Sequence, residues 1–263
     1  MWTRDELKGR AKRVLGQSYW KAFLISLVLA LVTGSSNGGG GGGNSNALSL
    51  NINIPDFSFS GIEGGSWREY LGFLPGSLLP GGVLLPLVLG SITLVAVLMM
   101  LLHFFVGANL EVGCRRYFTS ASAGYFDFNN LGFGFQNRRY WNILCTMLYR
   151  SVLTFLWSLL LIIPGIIKSY AYAMVPYILA DNPEIHYQRA VQLSNEMTRG
   201  HKFDMFVLDL SFIGWYLLGA LACGIGVFFV NPYRDSTMAE LYLALRHNAI
   251  MNGVTTPQEL WLA

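Results

Sequence analysis

The sequence predicts an all-α, polytopic integral membrane protein with about six transmembrane helices and amphipathic helices on the cytoplasmic side. Three observations predict it. First, residues 82–108 contain no Lys, Arg, Asp or Glu, and about 20 helical residues suffice to cross a hydrocarbon core; several similar stretches follow. Second, AVILMFWYC make up 53% of the chain and DEKR only 13%, about half the charged share of an average soluble domain. Third, the basic residues are placed asymmetrically. Arg4, Lys8, Arg10, Lys12, Arg13 and Lys21 precede the first apolar stretch, whereas residues 34–80 carry only Arg68. That asymmetry puts the basic segments and both termini in the cytoplasm, and the chain in the cytoplasmic membrane as one domain over residues 1–263.

The first element is an amphipathic helix within residues 1–19. Thr3 is an N-cap candidate and Glu6 completes a capping box. Leu7, Ala11, Val14 and Leu15 line one face, and Lys8, Arg10, Lys12 and Arg13 the other. Such a helix lies on a leaflet with its basic side towards anionic headgroups. Tyr19 and Trp20 mark the interface, and the first span runs on to Val32 or Thr33, with Ser18 and its turn contributing. The apolar stretch after Lys21 is not followed by a small-residue cleavage motif, so it is expected to be an uncleaved helix.

Residues 34–80 form a Gly-rich extracytoplasmic loop containing the tract 38–43. Within it, residues 48–59 alternate like a short extended segment. The second span covers residues 82 to about 105 or 108. Residues 111–140 are expected to be a cytoplasmic connection, in which Arg115, Arg116, Arg138 and Arg139 interleave with Tyr117, Phe118, Tyr125, Phe126 and Phe128 in the headgroup zone.

The third span covers residues 141–163 and ends at the turn signal Pro164-Gly165. The fourth, residues 166–180, is shorter, carries Lys168 near its outer end and stops at Asp181-Asn182-Pro183. Residues 184–200 form a second cytoplasmic amphipathic helix, with Ile185, Ala190, Val191, Leu193 and Met197 on its apolar face. Residues 203–230 read best as two crossings divided near Gly219 to Gly226. A single crossing would leave Arg234 and Arg246 outside. The sixth helix continues past Pro232 and Tyr233 to Leu245.

Ionisable residues inside spans are the informative ones, because a charge at the bilayer centre costs at least about 2.5–3.5 kcal/mol and is normally paired or functional. Arg150 lies mid-way along the third span, Asp209 in the fifth, and Asp204 nearer its cytoplasmic end. A packed Arg150–Asp209 pair locking two helices is the expected arrangement. A polar cavity for an anionic headgroup or a transported ion is the alternative.

Other chemistry finds little footing. His103, His186, His201 and His247 are scattered, without HExxH or metal-ligand spacing. Asp204 and Asp209 sit about 140° apart round a helix, not on one face. There is neither a Gly-x-Ser-x-Gly elbow nor a GxxxxGK[ST] loop. Cys114, Cys145 and Cys223 form no CxxC pair and are expected to be buried and inert. The basic N-terminus lacks any nucleic-acid recognition module. No catalytic residue, metal or cofactor is therefore expected.

Several motifs carry a resemblance. Glu6-Leu7-Lys8 with Ala11-Lys12, Leu15 and Tyr19-Trp20 is similar to the opening of a family of bacterial membrane proteins catalogued as domain of unknown function 975. Pro164-Gly165-Ile166-Ile167-Lys168-Ser169-Tyr170-Ala171-Tyr172, then Pro176-Tyr177 and Ala180-Asp181-Asn182-Pro183, resembles its most distinctive block. Ser194, Met197 and Gly200-His201-Lys202, then Leu210 to Trp215, Gly224-Ile225-Gly226, Pro232-Tyr233 and Thr237 with Ala239-Glu240-Leu241-Tyr242, continue the likeness. The family looks distantly similar to the membrane domain attached to some glycerophosphodiester phosphodiesterases, whose catalytic domain has no counterpart here.

The resemblance implies no biochemical role. It adds Lys168, Asp181, Asn182, Pro232, Tyr233 and Glu240 to Arg150, Asp204 and Asp209 as candidate site residues. The expected function is that of a non-enzymatic accessory or scaffold binding lipid or a membrane partner. A small transporter with a polar site at Arg150 and Asp209, for which the break at Pro164-Gly165 and Pro176 would suit discontinuous helices, is the second reading, and a membrane-embedded lipid enzyme the third.

Overall fold

A computed structural model describes residues 2–33, 84–221 and 226–262. The described residues are overwhelmingly helical and contain no strand. In chain order the helices are α1 (Arg4–Thr33), α2 (Leu84–Ser122), α3 (Asn137–Leu160), α4 (Ile162–Ala171), α5 (Val175–Asp181), α6 (Tyr187–Met197), α7 (Lys202–Leu221) and α8 (Gly226–Met251), with a 3-10 segment Phe128–Phe135 between α2 and α3. They fall into two compact units. One comprises residues 2–33 and 105–262; the other, in its described part, is residues 84–104 of α2. The glycine tract, the outer loop with its alternating segment, and Cys223 lie outside the described residues.

Three helical stretches, Arg4–Thr33, Arg139–Leu160 and Lys202–Leu221, are long and apolar enough to cross a membrane. Their outward faces match that composition. Leu156, Leu159 and Leu160 on α3, and Leu217, Leu218 and Leu221 on α7, are exposed, while Arg234, Asp235 and Glu240 are buried. This apolar exterior around an ionic interior is the inverse of a soluble domain.

Helix α1 starts as the capping signal predicts. Thr3 Oγ1 accepts from the Glu6 amide at 3.4 Å. The reciprocal half of the box is not formed, because the Glu6 carboxylate pairs with Arg10 one turn on. A kink at Ser18 (φ −154, ψ 49) divides the amphipathic segment from the apolar one. The apolar part packs along α8: Tyr19 donates to the Phe229 carbonyl at 3.1 Å, in the turn before Pro232, and Phe23 stacks on Phe229. Pro232 lies inside α8.

Four expectations change. Helix α2 does not end near residue 108 but continues to Ser122, so Glu111, Arg115 and Arg116 are helical and Arg115 is largely buried rather than in a headgroup-zone connection. Arg116 and Arg139 do sit over an aromatic ring, at 3.8 and 4.8 Å from the Phe133 centroid. The turn between α3 and α4 is not Pro164-Gly165 but the extended residue Leu161 (φ −159, ψ 143). Pro164 falls in the first turn of α4, where a missing N–H is tolerated. Gly165 lets α4 fold back on α3, since a Cβ there would lie 2.7 Å from Ser158 Oγ.

The fourth apolar stretch is broken. Helices α4 and α5 are separated at residues 172–174, with Pro176 at the start of α5. Among the cysteines, Cys114 is buried but Cys145 is exposed on the apolar face of α3. An amphipathic helix does follow Asn182, as α6 over Tyr187–Met197 rather than residues 184–200, burying Ala190, Val191, Leu193 and Met197, and α7 to Leu221 and α8 from Gly226 are separate helices.

Candidate functional site

The buried polar network is assembled from seven helices. Asp209 comes from α7 and Arg234 and Asp235 from α8; Glu111 and Arg115 are one turn apart on α2; Arg150 comes from α3, and Tyr170 from α4. Arg234 places Nη2 2.8 Å and Nε 3.1 Å from Asp209 Oδ1. Tyr170 donates its hydroxyl to Asp209 Oδ2 at 3.0 Å. Next along α8, Asp235 accepts from Arg115 Nη1 at 3.2 Å and from Ser26 Oγ of α1 at 2.6 Å. Arg115 also donates to the Tyr177 hydroxyl of α5 at 3.2 Å, with its guanidinium over the Tyr177 ring. Glu111 completes the group, 3.7 Å from Arg115 and 3.8 Å from Arg150.

Three arginines thus meet three carboxylates, and the cluster is formally neutral. Buried charges persist only when paired and further hydrogen-bonded. Here the hydroxyls of Ser26, Tyr170 and Tyr177 supply the extra bonds. Each also comes from a different helix, so the network ties α1, α4 and α5 to α2, α7 and α8.

A second pair closes the end of the bundle nearer Asp181. Asp181 Oδ2 accepts from Tyr242 at 2.6 Å and Arg246 Nη1 at 2.8 Å. Tyr242 stacks on Tyr177, linking this pair to the central network. Arg116 donates to the Ala180 carbonyl. Asn182 caps the turn after α5, accepting from the Glu184 amide at 2.8 Å and donating to the Glu259 carbonyl at 2.9 Å.

The expected Arg150–Asp209 pair is not present. Arg150 faces Glu111, and Asp209 is engaged by Arg234. Spacing along single helices cannot reveal which helices are neighbours, and the partners sit on α2 and α8, where charges had been read as lying outside the spans. Of the other sequence-predicted residues, Asp181 and Asn182 join the second pair. Asp204 is half exposed at the start of α7, 3.7 Å from His201, and takes no part. Lys168 lies over the Trp157 and Tyr172 rings at 4.9 and 5.9 Å. Pro232 and Tyr233 position α8 against α1 and α7: Tyr233 packs edge-on to Phe212 and beneath the Lys12 ammonium. Glu240 is buried away from the network and makes no hydrogen bond or ion pair with a described residue.

Glu111, Arg115, Arg234, Asp235 and Tyr177 belong to the candidate site and are absent from the residues the sequence points to. One signal could have found two of them: Glu111 and Arg115 stand at i,i+4 directly after an unbroken helical run, the spacing of an intrahelical ion pair. Outside the apolar helices, Arg189 holds Glu259 at 2.7 Å. That bond, with help from Thr255, keeps the Glu259 carboxyl below the usual carboxylate range. Among the described residues no three His, Cys, Asp or Glu side chains converge to hold a metal ion.

No curated protein and no solved structure matches the chain. The family comparison does find a match, and it takes in Arg150, Tyr170, Asp181, Asp209, Arg234 and Asp235, though not Ser26, Glu111 or Arg115. Residues 146–249 match the family described as a protein of unknown function, DUF975, which bears out the resemblance that the motifs from Pro164 to Tyr242 carry.

Proposed function

We propose that the chain is a multi-pass protein of the cytoplasmic membrane that acts as a non-enzymatic accessory or scaffold, binding lipid or a membrane partner. Helices α1, α2, α3, α4 with α5, α7 and α8 make six crossings with both termini in the cytoplasm. The lengths and apolar composition of Arg4–Thr33, Arg139–Leu160 and Lys202–Leu221 support the reading, as does the meeting of Arg116, Asp181 and Arg246 at one end of the bundle. The basic amphipathic segment of α1 then rests among anionic headgroups.

The observation that carries the scaffold reading is the double engagement of the Asp209 and Asp235 carboxylates; within the same network Arg115 Nε is buried without a hydrogen-bond partner among the described residues. Asp209 and Asp235 each accept from an arginine and a hydroxyl. A site built to release an ion or substrate needs ligands free to exchange, whereas this one spends its charges on tying helices together. A thiol-accessibility experiment tests it. In a chain with Cys114, Cys145 and Cys223 replaced, Ser26→Cys sits beside Asp235, and Arg199→Cys serves as an exposed reference. The scaffold reading predicts that a membrane-impermeant thiol reagent labels the second and spares the first. Labelling at Ser26→Cys would show water reaching the network.

One observation favours a small transporter as the second reading. The break between α4 and α5 lies directly between Tyr170 and Tyr177, the two tyrosines that bond to the network, and discontinuous helices at a midplane site are the mark of secondary transporters. The same labelling experiment separates the two.

A further inference from the structure

A cavity of about 800 Å³ opens between the amphipathic part of α1, the end of α2 and the last third of α8. It lies well within the size range of small-molecule sites. Its chemistry is distinct from that of the paired network. Glu240 lines it and is 5% exposed, yet its carboxylate has no hydrogen bond or ion pair with any described residue. Its oxygens are not among the fully enclosed unpartnered atoms, so the carboxylate is reached from the cavity. Trp2 also lines the cavity, and its buried indole N–H is likewise unpartnered.

The remaining charges on the wall divide simply. Glu6 and Arg10 neutralise each other across one helical turn. Arg13 lines the cavity, is exposed and makes no hydrogen bond or ion pair with a described residue. What is left for a ligand is the Glu240 carboxylate, the exposed Arg13 cation and the orphan Trp2 N–H, flanked by the polar side chains of Gln17, His247 and Asn248, with Leu7 and Leu243 as apolar wall. The complement of that set is a small zwitterion: a group with N–H donors for Glu240, and an anion for Arg13 and Trp2.

We propose that this cavity binds a primary ammonium on the Glu240 carboxylate and the attached phosphate on Arg13 and the Trp2 indole N–H. That is the chemistry of an aminophospholipid headgroup or of free phosphoethanolamine. The lipid form of the inference rests on the membrane reading above, since the lipid would enter from the leaflet on which the α1 amphipathic segment lies. Glu240→Gln keeps the side-chain shape and removes the charge. Arg13→Ala removes the anion partner at an exposed position that folding does not require.

The test is isothermal titration of the detergent-solubilised full chain with dihexanoyl phosphatidylethanolamine, dihexanoyl phosphatidylglycerol and phosphoethanolamine. The expected result is saturable binding of phosphatidylethanolamine, weakened about tenfold or more by either substitution, because each removes a charge-assisted bond; phosphatidylglycerol binds more weakly. If phosphoethanolamine binds as tightly as the short-chain lipid, the zwitterion site stands and its ligand is the soluble one. Equal binding of the two lipids, or binding untouched by both Glu240→Gln and Arg13→Ala, overturns the proposal. Failure here with Ser26→Cys still protected would refute the cavity assignment and leave the scaffold reading in place. Intact binding with Ser26→Cys labelled would do the reverse.

Discussion

Arg234 directs two nitrogens, Nη2 at 2.8 Å and Nε at 3.1 Å, onto a single oxygen of Asp209, leaving the other oxygen to the Tyr170 hydroxyl at 3.0 Å. Both charged side chains are largely buried. Removing one partner of such a pair strands the other, a loss of about 3–5 kcal/mol. Tyr170→Phe strands no charge and should cost only about 1 kcal/mol, the worth of one hydrogen bond. Thermal unfolding in detergent should therefore rank Asp209→Ala well below Tyr170→Phe; equal losses would mean that the hydroxyl, not the guanidinium, holds the carboxylate.

Arg150 belongs to a different part of the network. It lies 3.8 Å from Glu111 and has no bond to Asp209. Arg150→Ala and Asp209→Ala should accordingly couple less than Arg150→Ala and Glu111→Ala, since only the second pair is in direct contact. Arg150→Ala and Glu111→Ala should fall short of additive. Measuring both double variants against their singles by chemical denaturation checks the assignment.

The α7–α8 hairpin depends on two facing glycines. A Cβ on Gly219 would lie 2.8 Å from the Gly226 backbone, whereas one on Gly214 meets nothing within 4 Å. Gly219→Ala should destabilise by about 1–3 kcal/mol through overpacking against backbone that cannot yield. Gly214→Ala should be neutral or stabilising, by up to about 1 kcal/mol of helix propensity. A melting-temperature comparison of the two variants reads the difference directly.

Glu259 gives a pH dependence of known sign. The Arg189 bond depresses its folded-state pKa, so its contribution is fully present above the unfolded value of about 4.3 and is lost as pH falls through the lower folded value. Glu259→Gln should lower stability at pH 7 and flatten the loss of stability below about pH 4.3. An unchanged slope in acid would assign that loss to other carboxylates.

Much of the fold was legible in the chain because it rests on local signals. Tyr19-Trp20 after a basic amphipathic run marks where the apolar half of α1 begins, Asp181-Asn182-Pro183 ends α5, and α7 and α8 part near Gly219 to Gly226. The central pairing was not legible, because it is a relation between helices. Periodicity says that Asp209 needs a partner, but it does not say whether α3 or α8 runs beside α7. Arg115 and Arg234 were misplaced for a related reason. Basic residues near span ends are ordinarily outside the apolar zone, and only the continuation of α2 and α8 past their apolar stretches draws these two inward.

Whether buried charges act here as pairs holding helices together is read out by a double-mutant cycle on Arg234 and Asp209. Arg234→Ala, Asp209→Ala and the double variant are unfolded in the same detergent. The double variant should lose clearly less than the sum of the singles, with a coupling of about 1–3 kcal/mol. Losses that add to within about 0.5 kcal/mol would contradict it, and would mean that each charge answers to something other than its partner.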